Sequence, residues 1–297
     1  MTPPFPHAGE VCALLAPLCW AVAVIGFRHS DLPAISMNLF KNTVALVLLT
    51  ATMGLLGIGS PADRSAADWG ILAVSGVLGL AVADTLLLEG LRRIGAARLA
   101  LVDTTYAPMM VLLSWLFLGE QLTASFLLGA TVVVAGVAIA TVDLRHAVAR
   151  REPGLALGIA MALGAICGTG ASVILVKPVL EGSNLIEVTW TRMLVGIGAQ
   201  ALWVTTSGGW RGAVIAFVPS ARWRSLVPAA VMGTYVALVL WLGGFKWADA
   251  SVAAVLNQLA TVYILGLAWA VLGEPVGPRQ VIGGLLAVVG ATVVVSV

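Results

Sequence analysis

Residues 96–140 read AARLALVDTTYAPMMVLLSWLFLGEQLTASFLLGATVVVAGVAIA, and from Ala250 the chain repeats the pattern as ASVAAVLNQLATVYILGLAWAVLGEPVGPRQVIGGLLAVVGATVV. Placing Gly119-Glu120 over Gly273-Glu274 sets an offset of 154 residues (273 minus 119). At that offset Trp115 falls on Trp269, Leu118 on Leu272, Gly129 on Gly283 and Gly136 on Gly290. Upstream, Gly79 meets Gly233, Gly90 meets Gly244 and Arg92 meets Lys246. The period is half the chain, which reads as a duplication and not as a solenoid of short repeats.

The rest of the sequence says what is duplicated. Of the 297 residues, 60% are hydrophobic and 10% charged, and the mean hydropathy is +1.03. A soluble domain carries about 25% charged residues, so the chain is read as an integral membrane protein in a lipid bilayer. A helical span needs roughly 20 apolar residues, because every backbone polar group must be satisfied within the segment. Ten segments fit: Val11–Phe27, Ile35–Gly57, Trp69–Leu91, Ala96–Leu118, Thr123–Val142, Leu155–Val176, Ile186–Thr206, Leu226–Phe245, Ala250–Leu272 and Pro278–Val297. The first run lacks a preceding Lys or Arg, so it is read as a mature helix and not as a signal peptide. No connection is long enough for a soluble domain. The stretch Asp143–Gly154 divides the halves, giving one repeat over 1–150 and another over 151–297.

Five helices is an odd number, so the second repeat enters the membrane from the opposite side. The expected architecture is therefore an all-α membrane protein of ten transmembrane helices in two inverted five-helix repeats, with substrate near the midplane at the repeat interface. Connections after odd-numbered helices hold eleven Lys or Arg and those after even-numbered helices three. The positive-inside rule then puts the odd connections in the cytoplasm and both termini outside. Arg outnumbers Lys thirteen to three, which suits a GC-rich bacterial genome and hence the inner (cell) membrane.

Ionisable groups inside apolar runs carry the chemical signal, since an Asp at mid-membrane costs about 2.5–3.5 kcal/mol on insertion scales. Asp84 and Asp103 lie about equally far on either side of the turn near Ile94-Gly95. A tight hairpin puts both roughly 14 Å from that turn, near the bilayer middle. They could share a proton, bind a cationic solute or pair separately with Lys41; structural hydrogen bonds to Ser or Thr are the plainer alternative. Their register partners are Leu238 and Asn257, so the acidity is not duplicated. Asn257, Gln258 and Tyr263 are candidate polar contacts, and Tyr106, Tyr235 and Trp241 candidate aromatic walls able to meet an organic cation. Lys41 and Arg192 stand early in the second and seventh helices. They read as gate cations or carboxylate partners at each mouth, or as side chains snorkelling to the interface. Pro108 is a candidate hinge in the fourth helix. Glu89 is positioned for an ion pair with Arg93. Glu120 and Glu274 are expected to favour the N-terminus of the helix that follows each.

Cys12, Cys19 and Cys167 form no metal or disulfide pattern, and no phosphate-cradling loop, HExxH or nucleophile elbow is present. Neither cofactor nor metal is expected, and the reading is not an enzyme. A formal charge of +2 carried by loop residues gives no reason to expect a nucleic-acid partner.

With its LGE corners and glycine-spaced following helices in both copies, and basic residues early in the second and seventh helices, the chain resembles the paired EamA-type domains of the drug/metabolite transporter superfamily. The resemblance covers the whole chain. It implies a ten-helix carrier with a central cavity, monomeric or homodimeric, often an exporter of amino acids, metabolites or toxic compounds. It supplies no cofactor and no uniform catalytic residues. Two features depart from it: Val262 stands where Pro108 has its counterpart, and the charge bias places the termini outside. The expectation is a secondary active transporter of a small organic solute, an exporter, working by alternating access, with Asp84 and Asp103 as proton-coupling or cation-binding groups and helices two to four and seven to nine around the cavity. An uncoupled facilitator and a non-transporting membrane scaffold are the rival readings.

Overall fold

The computed structural model describes residues 3–27, 32–59, 64–141, 154–273 and 276–296. It is helical throughout, with no strand among the described residues. Ten segments follow the expected order: α1 (Ala8–Phe27), α2 (Ala34–Leu56), α3 (Ala66–Gly95), α4 (96–118), α5 (Ala124–Thr141), α6 (Leu155–Gly182), α7 (Leu185–Ser207), α8 (Trp223–Trp247), α9 (Ala250–Val271) and α10 (Pro278–Val295). Seven of them are long and apolar enough to cross a membrane. In α4 and α5 the apolar helices are shorter, Tyr106–Leu118 and Ala124–Ala140, while α7 spans 23 residues and carries Glu187 and Arg192 among its buried side chains. The protein is a multi-pass membrane protein. The dividing connection falls mostly outside the described residues, as do Arg28 and Glu274.

Local chemistry sets the boundaries. Gly95, at φ 77°, makes the sharp turn between α3 and α4, a conformation that glycine takes without a Cβ penalty. The glycine of each LGE corner closes its helix in the left-handed region, Gly119 at φ 69° and Gly273 at φ 66°. Asn184 caps α7 by accepting from the N–H groups of Ile186 and Glu187.

Two irregularities recur at the sequence offset of 154. A π-helical turn interrupts α3 over Val77–Ala83 and α8 over Val231–Val236. Both α4 and α9 break in mid-span, where Thr105 N–H bonds to Val102 O and Leu259 N–H to Leu256 O, three residues back. Pro108 explains only one of these breaks. It cannot donate to Thr104 O four residues earlier, yet α9 breaks at the same place with Val262 in the proline's position. Pro108 itself lies exposed, past the break, in the first turn of Tyr106–Leu118. A break at this place therefore does not require a proline.

Packing between the first and last five helices follows one pattern. The closest association is α5 with α10, and the other main ones are α3 with α6, α1 with α8, α2 with α7, α3 with α7, α2 with α8, α4 with α6, α1 with α9 and α4 with α9. Moving every label on by five helices reproduces this set, whereas a weaker contact of α5 with α9 has no such counterpart among the described residues. At the α5–α10 contact, Gly129 and Gly136 face Gly290 and Gly283 so closely that a Cβ on Gly136 would lie 2.5 Å from Ala287 N. Small residues replace hydrophobic driving force as the means of helix association in lipid.

The start of α1 and the end of α10 lie on one face of the bundle. Glu10, Lys177, Glu181, Lys246, Asp249 and Val295 surround a single polar recess of about 400 Å³ there. Two lysines clamp this face reciprocally. Lys177 of α6 donates to the carbonyls of Phe245 (2.7 Å) and Ala248 (2.9 Å) at the end of α8. Lys246 of α8 donates to the carbonyls of Leu180, Glu181 (3.0 Å) and Ser183 (2.8 Å) at the end of α6. Each satisfies carbonyls that a helix end leaves open. Glu120 does not serve the following helix as expected. Its carboxylate accepts from the N–H groups of Ala250 (2.5 Å) and Ser251 (3.0 Å) and so holds the start of α9. On the same face Arg64 pairs at 2.6 Å with the fully buried Glu187. The expected Glu89–Arg93 pair forms at 2.8 Å, with Arg92 joining at 3.0 Å.

Candidate functional site

A cavity of about 260 Å³ lies at mid-depth in the bundle. Its wall draws on α1 to α4 and α6 to α9, so α1 and α6 join the six helices expected from sequence; α5 and α10 stay outside. Positions related by the offset of 154 meet in this wall: Gly79 with Gly233, Asp84 with Leu238, Asp103 with Asn257 and Tyr106 with Ala260; Lys41 of α2 and Arg192 of α7 also line it. Most of the remaining lining is apolar, including Trp20, Leu87, Leu88 and Ile166.

The π-helical turn of α3 organises one side. Asp84 N–H bonds to Gly79 O, five residues back, which leaves Leu80 O, four residues back, to be satisfied by side chains. Asn38 of α2 and Gln200 of α7 each donate to it at 3.1 Å. Asn42, one turn beyond Asn38, bonds to Asn38 Oδ1 at 3.1 Å and accepts from Lys41 Nζ at 3.1 Å. The amides of α2 thus fix Lys41, whose ammonium meets Asp84 Oδ2 at 2.6 Å. Of the alternatives open for Asp84, the structure realises pairing with Lys41.

Arg192 is in a different position. It is 1% exposed, the largest fully buried side chain described. Gly76 and Gly79 admit it: a Cβ on Gly76 would lie 2.5 Å from Arg192 O, and one on Gly79 3.3 Å from Nη2. Nη2 donates to Ser172 Oγ at 2.7 Å, and Ser172 in turn donates to Ser75 O at 2.8 Å. Nε and Nη1 have no hydrogen-bond partner among the described residues. Asp84 influences the guanidinium electrostatically but makes no ion pair with it. Lys41 (5% exposed) and Arg192 are both buried in the cavity wall, and neither snorkels to solvent.

On the other side, the breaks in α4 and α9 face one another. Gln258 Nε2 donates to Asp103 O at 3.1 Å, tying the two interruptions together. Asp103, Tyr106, Asn257 and Gln258 all line the cavity. Asn257 Nδ2 donates one of its two protons to Ala253 O, and its amide oxygen is an acceptor. The Tyr106 hydroxyl is buried without a hydrogen bond, with Trp241 beside it. Trp241 also lines the cavity and is held edge-on by Phe245, 4.9 Å between ring centroids. Two expected residues are elsewhere. Tyr235 turns away and shares a 2.6 Å hydrogen bond with Thr52, and Tyr263 packs on the apolar core. On a helix, depth alone does not decide which way a ring points.

Sequence reading passed over Asn38, Asn42, Ser172, Gln200 and Thr234. The signal was available for three. Asn38, Lys41 and Asn42 fall at i, i+3 and i+4 on one helix face, and Gln200 lies two turns beyond Arg192 on its face.

Comparison with known proteins supports the same architecture. The sequence profile of the EamA-like transporter family matches twice, over residues 7–142 and 156–296. A probable terminal-alkyne amino-acid exporter of Streptantibioticus cattleyicolor is 28% identical over 264 residues, covering 87% of this chain and 82% of the relative. A protein of known crystal structure superposes with a TM-score of 0.80 at 19% identity, covering 98% of each chain, a likeness of fold alone. With the family profile spanning nearly the full length in two copies, the chain belongs to the EamA-like transporter family.

Proposed function

We propose that this protein is a secondary active exporter of a small amino-acid-like solute, working by alternating access between two inverted five-helix repeats, 1–150 and 151–297. The observation that carries the reading is the cavity itself, walled by matched positions of both repeats and holding Lys41, Asp84, Asp103 and Arg192 at mid-depth. A buried charge costs several kcal/mol unless paired, and inverted repeats place their substrate sites at such an interface. The amino-acid class rests on the exporter from Streptantibioticus cattleyicolor.

Asp103 is the coupling carboxylate in this reading. Asp84 is engaged by Lys41 at 2.6 Å, whereas Asp103 faces the cavity beside Tyr106 and Gln258, remote from that pair in sequence and on a different helix. Proton loading at Asp103 would let the repeat interface close without burying an unpaired carboxylate. The clamped face with the start of α1 and the end of α10 is then the outer one, as the distribution of basic residues indicates.

Reconstitution in proteoliposomes tests the proposal. Wild-type protein is expected to accumulate labelled amino acid against its gradient when a pH gradient is imposed. Asp103→Asn is expected to lose the pH-driven accumulation, with whatever flux remains at saturating solute indifferent to the pH gradient. Flux that ignores the pH gradient in the wild type would make the protein a facilitator. Absence of flux for every amino acid tried would remove the transport reading for this solute class.

A further inference from the structure

We propose that Arg192 is the anchor for the solute's free carboxylate, with Ser172 fixing the guanidinium, and that Asp103 takes the solute's ammonium group. The inference deepens the exporter reading and rests on it. Arg192 presents the arrangement of a site lacking its ligand. Its side chain is 1% exposed and lines the central cavity. One nitrogen is spent on Ser172 at 2.7 Å, while Nε and Nη1 are buried without partners among the described residues. Leaving buried donors of a charged group unmade is costly, and a carboxylate is the acceptor best matched to guanidinium geometry.

Charge accounting points the same way. Lys41 and Asp84 neutralise one another at 2.6 Å, so the α2–α3–α7 side of the cavity keeps one positive charge, on Arg192. The α4–α9 side contributes Asp103, with Tyr106, Asn257 and Gln258 around it. A cavity with a cationic pole on one wall and an anionic pole on another suits a zwitterion. Between the poles lie Trp20, Ile166, Leu238 and Trp241, an apolar surface for the side chain.

A purely structural role for Arg192 makes a different prediction. An arginine that only braces α7 against α6 would be indifferent to whether the solute carries a carboxylate. Thermal stabilisation of the purified wild-type protein in detergent can be titrated with the standard amino acids, their α-amides and their deaminated acids. The acids are expected to bind at least roughly tenfold more tightly than the matched amides, the scale of hydrogen bonds to a charged group. Deaminated acids are expected to be weakened similarly. Arg192→Gln should abolish the preference for acid over amide, and Asp103→Asn the preference for amine over its absence. The comparison of acid with amide needs no variant, so it stands even where Arg192→Gln fails to fold. Equal binding of acid and amide by the wild type would overturn the anchor and leave the exporter reading intact. No binding of any amino acid would remove both.

Discussion

Lys41 of α2 and Asp84 of α3 meet at 2.6 Å, with the lysine side chain 7% and the aspartate 27% exposed. The pair sits in the cavity wall, where water can reach the carboxylate but scarcely the ammonium. Lys41→Met should therefore destabilise the protein by about 2–3 kcal/mol, below the 3–5 typical of breaking a fully buried pair. Lys41→Met combined with Asp84→Leu should recover most of that loss, since Leu238 already occupies the matched position in α8. Denaturation in detergent, followed by tryptophan fluorescence, measures both. Equal destabilisation of single and double variants would show that the pair carries no coupling.

The α5–α10 contact makes a packing prediction. A side chain at Gly136 meets backbone of the opposite helix, 2.5 Å from Ala287 N and 2.6 Å from Gly283 O. Backbone does not yield as a rotamer does, so Gly136→Val should cost at least about 1–3 kcal/mol by overpacking. Gly198→Ala, with nothing within 4 Å of the new Cβ, should shift stability by less than about 1 kcal/mol. Thermal scans of the two variants side by side decide it.

At the face with the start of α1 and the end of α10, Asp249 precedes α9. It is open to solvent by surface area, yet partial desolvation, followed by the nearby Glu120 charge, raises its carboxyl pKa against the opposing effect of Lys177. A raised acid pKa means that the folded state holds the proton more tightly. Its stabilising contribution is full below the ordinary carboxylate range and is lost as pH rises through the raised value. Asp249→Asn should therefore gain stability relative to wild type as pH increases from mildly acidic to neutral. A constant difference across that range would exclude the linkage.

Topology can be read by labelling. With Cys12, Cys19 and Cys167 replaced, Ser296→Cys should react with an impermeant maleimide on intact cells, because the end of α10 lies on the proposed outer face. Ser220→Cys, in the connection between α7 and α8, should react only after permeabilisation. The reverse pattern would invert the assigned orientation.

Sequence alone was enough for the multi-pass helical architecture and the polar positions worth asking about, because insertion energetics acts on each segment separately and leaves its mark in composition. The LGE corners and the glycine register are of this kind: Gly119 and Gly273 needed only a left-handed backbone, and Gly136 and Gly283 only the absence of a Cβ. Asp84, Asp103, Asn257, Gln258, Tyr106 and Trp241 were legible for the same reason, since a polar or amphipathic side chain inside an apolar run must find a special environment. Which partner each one has was decided by the tertiary structure. Lys41 reaches Asp84 because α2 packs on α3 just past its π-helical turn, and no spacing along the chain encodes that approach. Tyr235 and Tyr263 share the depth of the cavity residues but turn to Thr52 and the core, since rotation about a helix axis is fixed by neighbours. Glu120 serves α9 and not the helix after it, for the same reason. Arg192 shows the division most clearly. Its charge and depth were in the sequence, but that Nε and Nη1 lack partners among the described residues, while Nη2 bonds to Ser172, follows from how closely Gly76 and Gly79 let α7 approach α3.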